Sequence, residues 1–85
     1  MIDYARDAEI AIKTFIKSLP EKVEQNFIET ARAEFPELFQ EAVELKKKID
    51  KTHIRHTQEF IELVKRWKEV NYKLIRLSAF KIVVR

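Results

Sequence analysis

Nowhere in its 85 residues does this chain carry a glycine, and it carries only two prolines. Most of the usual turn vocabulary is therefore missing. The composition is otherwise rich in Glu, Lys, Leu, Ile and Ala, which favour helix. The expected fold is all-α: a small antiparallel bundle of three or four helices, with residues 1–85 forming a single helical domain. A chain of this size buries only about 60–65% of its unfolded surface, so it must pack well to be stable alone.

The longest helical pattern runs from Thr57 to Lys81. Phe60, Leu63, Trp67, Val70, Leu74 and Leu77 recur at the 3-4 spacing of a coiled-coil seam. Ile61, Val64, Asn71, Ile75 and Ser78 flank it, and Lys65, Arg66, Lys68, Lys73 and Arg76 fill the opposite arc. This C-terminal helix is read as the spine, spanning about residues 53–80 and about 40 Å long at ~1.5 Å per residue. Its apolar stripe is longer than any one neighbouring helix. Two helices stacked end to end could cover it, or a second copy of the chain. An uncovered stripe of that size would be unusual. A homodimer is therefore expected.

Three shorter helices are expected ahead of it, over about 2–18, 20–33 and 36–50. Ala5, Ala8, Ile12, Phe15 and Leu19 repeat at helical spacing in the first. Asp3 and Asp7 suit its first turn, and Glu9 and Lys13 are placed to pair. Ser18 followed by Glu21 reads as a capping box for the second helix, with Pro20 in its first turn. Pro36 removes a helical hydrogen bond and disfavours helical geometry at Phe35, so a break is favoured there over a kink.

The stretch Asp50–Gln58 is ambiguous. Asp50, Thr52 and Thr57 could each cap a following helix, yet no Gly or Pro compels a turn. A rod running through it would be roughly 65 Å long. A turn near 50–53 is favoured. At the other end the helical phase fails after Ala79, and the apolar tail 80–85 is expected to leave the helix and dock, either in a groove or on a partner.

Charge is divided along the chain. Residues 1–45 carry five Lys/Arg and ten Asp/Glu, whereas residues 46–85 carry twelve and four. The halves thus hold −5 and +8. Such asymmetry fits a nucleic-acid surface, or an acidic half that packs against a basic half.

Motifs for chemistry are few. With no Gly there is no phosphate-binding loop and no nucleophile elbow, and with no Cys there is neither a disulfide nor a thiolate metal site. His53 and His56, at i,i+3 with Asp50 and Glu59 one turn away, are a weak metal candidate. Neither a metal nor a cofactor is expected, and the chain is read as non-enzymatic. No signal-peptide pattern or long apolar run is seen, so a cytoplasmic location is expected and a membrane role is disfavoured.

The functional expectation is a small regulatory, adaptor or inhibitor protein working through contacts with itself and another protein. The residues expected to carry those contacts are Trp67, Tyr72, Lys73, Arg76, Phe80 and Ile82. Trp67 anchors the core or interface, Tyr72, Lys73 and Arg76 lie on the outer face, and Phe80 and Ile82 dock the tail. The alternative is a regulator that contacts nucleic-acid phosphates through its basic half.

Overall fold

The computed structural model describes residues 3–84; of Val83 and Val84 only the backbone is described. Four helices follow one another: α1 (Tyr4–Lys17), α2 (Glu21–Glu34), α3 (Pro36–Lys51) and α4 (Gln58–Val84). No strand occurs among the described residues. The molecule is an all-helical bundle with α4 as its spine. Each of the other helices packs on α4, while α1 and α2 touch each other little.

Helix α1 is started by Asp3. Its carboxylate accepts from the backbone N–H groups of Ala5 and Arg6 at 3.1 and 3.2 Å, satisfying two donors that the first turn leaves free. Ala5, Ala8 and Ile12 form its buried face. The small alanines let α1 approach the spine closely.

The capping box at Ser18 does not form. Ser18 keeps helical backbone angles and closes α1 instead, donating its hydroxyl to the Phe15 carbonyl at 2.6 Å. Pro20 stands at the N-cap of α2, which has no side-chain cap. A serine two residues further from the helix start than the cap position has no reach to its N–H groups.

At Phe35 the chain leaves helical geometry for a single residue, with φ −133° and ψ 59°, and Pro36 opens α3. The break expected from proline is therefore a true reorientation. It has almost no slack, since Phe35 N–H still bonds to the Ala31 carbonyl and Phe39 N–H to the Phe35 carbonyl.

Between α3 and α4 lies a six-residue loop, Thr52–Thr57. The turn is where it was expected, but it is longer, and α4 begins at Gln58 instead of 53. Thr57 wins among the candidate caps, accepting from Phe60 N–H at 3.2 Å. Arg55 reaches from this loop to Asp3 at the start of α1.

The C-terminal tail does not leave α4. The helix continues to Val84, and Arg85 lies outside the described residues. Ile82 is 4% exposed while Phe80 is 65% exposed. β-branched residues lower helix propensity by less than about 1 kcal/mol each, and burial of Ile82 outweighs that. The buried line along α4 also differs from the expected seam. Val64, Ile75 and Ser78 are fully buried, whereas Leu63 and Leu77 are only partly so. The spine rotates its Ile75–Ser78–Ile82 side inward, towards α2.

The apolar stripe is covered inside the chain. One continuous core joins Ala8 and Ile12 of α1, Phe27 and Ala31 of α2, and Ile49 of α3 to Phe60, Trp67, Leu74 and Ile75 of α4. The length of the stripe therefore does not call for a second copy.

Candidate functional site

The charge division along the sequence becomes a set of contacts in space. Lys46 meets Glu9 at 3.3 Å, Arg55 meets Asp3 at 3.3 Å and Arg66 meets Glu41 at 2.8 Å. In each, the acid comes from residues 1–45 and the cation from residues 46–85. Their side chains are between a third and three-fifths exposed, so solvent screens them and each adds little to stability. Their larger effect is to neutralise three cations of the basic half. The intrahelical pair Glu9–Lys13 forms as its spacing suggests. Arg66, besides meeting Glu41, also approaches Glu69 at 4.0 Å.

Two carboxylates are shifted by these contacts. The backbone N–H of Arg6, aided by the Arg55 charge, holds Asp3 below its ordinary value, against a smaller opposing effect of burial. The Lys46 ammonium, followed by Lys13, lowers Glu9.

Of the cations left without an ion pair among the described residues, Lys47, Lys48 and Lys51 lie on α3, and two others share a face of α4 with exposed apolar groups. Lys73 and Arg76 are exposed and make no ion pair among the described residues. They line a shallow groove of about 480 Å³ together with Glu69, Tyr72 and Leu77. Phe80, one turn beyond Arg76, extends the same face into solvent. The face exists because α1 is 14 residues long and α4 is 27. Phe15, near the end of α1, stacks on Tyr72 with ring centroids 5.2 Å apart. Past that point α1 stops and α4 continues, leaving a ledge.

Tyr72 lines this face but is only partly exposed on it. It is half-buried between Phe15 and Lys68, whose ammonium sits 5.7 Å from its ring centroid, and only its edge reaches the groove. Lys73, Arg76 and Phe80 do come together on the ledge. Trp67 and Ile82 are core residues, at 6% and 4% exposure. Ile82 instead closes a groove against Lys22, Asn26 and Thr30 of α2.

A second apolar groove, of about 330 Å³, runs between α3 and α4 and escapes sequence reasoning. Phe39, Val43, Trp67 and Leu74 line it, with Lys46 and Lys47 at its edge. The Lys46 ammonium lies 5.1 Å from the Trp67 ring centroid. Asn71, a polar residue in an apolar stripe, is the one sequence signal for it. Its amide donates to the Trp67 carbonyl at 2.8 Å.

His53 and His56 both fall in the Thr52–Thr57 loop and are exposed, so the helical i,i+3 arrangement does not form. No group of three or more His, Asp or Glu side chains converges among the described residues. No described helix is long and apolar enough to cross a membrane.

Comparison with protein-family models, with curated proteins and with solved structures finds no match to this chain.

Proposed function

We propose that this chain is a small, non-enzymatic regulatory or adaptor protein that binds another protein through the ledge on α4. One observation carries the reading. Apolar Leu77 and Phe80 are presented beside unpaired Lys73 and Arg76, while Lys46, Arg55 and Arg66 are neutralised inside the fold. An apolar patch ringed by charge is the usual composition of a protein contact surface.

The non-enzymatic part is supported by where the hydroxyls lie. Ser18 donates to the Phe15 carbonyl, Thr52 donates to the Lys48 carbonyl and Thr57 caps α4. Ser78 is fully buried. Three of these four hydroxyls are engaged by the backbone of their own helix ends, and the fourth is buried on the spine.

The test is site-specific photo-cross-linking in cells. A benzophenone side chain at position 80 is compared with one at Ile28, an exposed apolar position on α2. A discrete protein adduct at 80 and none at 28 is expected. Equal adducts, or none, defeat the reading. Binding of labelled DNA or RNA that weakens steeply with salt and is lost in Lys73→Glu would favour the nucleic-acid alternative.

A further inference from the structure

We propose that a second copy of this chain occupies the ledge, with two α4 helices running antiparallel about a two-fold axis between Tyr72 and Lys73. The proposal rests on the reading of this face as a protein contact and names its partner. The apolar stripe that first suggests self-association from sequence is not the surface involved; that stripe is buried within one chain.

A two-fold interface must complement itself, because whatever i meets at j, j meets at i. Few helix faces satisfy this, and the outer face of α4 does. With the axis at 72–73, Glu69 meets Arg76 of the second copy and Arg76 meets its Glu69. Two ion pairs form from residues that are exposed in the single chain. Lys73 comes beside the edge of Tyr72 in both directions. Phe80 faces Lys65, an arrangement suited to a cation–π contact. Leu77 faces the aliphatic stem of Lys68. Apart from the two Lys73 side chains, which approach each other across the axis, no like charges are opposed.

Neighbouring registers lack this property. An axis at Asn71 sets Arg66 against Arg76, and one between Leu74 and Ile75 sets Lys73 against Arg76. An axis between Trp67 and Lys68 engages Arg66 and Arg55, which Glu41 and Asp3 already hold. The sequence thus selects one register by charge, as the flanking positions of a coiled coil do. The two-fold pairing also covers Phe80, the most exposed of the large apolar side chains. One helix face per copy makes a small interface, below about 1,200 Å² in total, so association in the micromolar range is expected.

Sedimentation velocity across the micromolar range tests this with two single variants. In Glu69→Arg the pairs become Arg against Arg, and in Arg76→Glu they become Glu against Glu. Each alone should weaken self-association about tenfold or more, since like-charge juxtaposition is strongly unfavourable. An equimolar mixture restores both opposite-charge pairs in this register and in none of the others above, so the mixture should dimerise as the natural chain does. Both positions are exposed, and an unchanged helical spectrum shows that each variant folds. A natural chain that stays monomeric, single variants that still dimerise, or a mixture that stays monomeric overturns the proposal. If the chain is monomeric but position 80 still cross-links to another protein, self-pairing fails and the adaptor reading stands. If both results are negative, both fail.

Discussion

The carboxylate of Asp3 serves two partners at once, capping the backbone of α1 and accepting from Arg55 Nη1 at 3.3 Å across 52 residues of sequence. It ties the first helix to the loop that precedes the last. Both contacts favour the charged carboxylate, and both lower its pKa. The stability they add is complete above the ordinary value of 3.8 and is lost as pH falls through the lower folded value. Glu9 behaves in the same sense through Lys46. The thermal midpoint should therefore drop on acidification below about pH 4, and drop less in Asp3→Asn, which can still cap but cannot titrate. Asp3→Ala should be less stable than Asp3→Asn at neutral pH. Melting curves across the acid range check both.

Among the described residues, Ser78 is a buried side chain whose hydroxyl has no hydrogen-bond partner. It sits on the spine in the line Ile75–Ser78–Ile82, at 0% exposure. Leaving such a group unpaired costs about 1–3 kcal/mol, and alanine is also the better helix former. Ser78→Ala should raise the urea midpoint, by about 1 kcal/mol in free energy. A loss of stability would mean that the hydroxyl finds a partner in solution.

Phe80 and Ile82 are two residues apart and opposite in environment. Ile82→Ala should cost about 2–5 kcal/mol, like other buried large-to-small changes. Phe80→Ala should stay within about 0.5 kcal/mol in the single chain. Equal effects would mean that the end of α4 is not helical.

Trp67 is the single tryptophan, and it is 6% exposed against Lys46. Its emission should be blue-shifted in the folded chain and move red on unfolding. Trp67→Ala should destabilise by about 3–5 kcal/mol. A folded variant of near-natural stability would remove Trp67 from the core.

Helix breaks were legible where the covalent chain enforces them. Pro20 and Pro36 act through their own φ and missing N–H, so α1, α2 and α3 are bounded close to where the sequence places them. The start of α4 was not legible, because three caps compete locally. Arg55 bonds to Asp3, and nothing between residues 50 and 58 records that. The end of α4 was misread for a related reason. A helical wheel puts Phe80 outside correctly, but only the position of α2 shows that Ile82 is inside. That Phe15 half-covers Tyr72 is not legible in the sequence, because the arc that α1 covers depends on how three helices share one spine. For the ledge, the residue types Lys73, Arg76 and Phe80 could be read from the sequence. The end of α1 beside Tyr72, which leaves them uncovered, could not.

No described residue adopts a positive φ, and no peptide bond is cis. Every connection, including the one-residue junction at Phe35, is made with backbone angles open to ordinary residues. No position is therefore reserved by the main chain for glycine. Selection on this fold acts on side-chain volume, charge and the two prolines alone. Descendants of such a chain can change most of their letters while keeping the same path through space, and they would carry few invariant signposts by which to know one another.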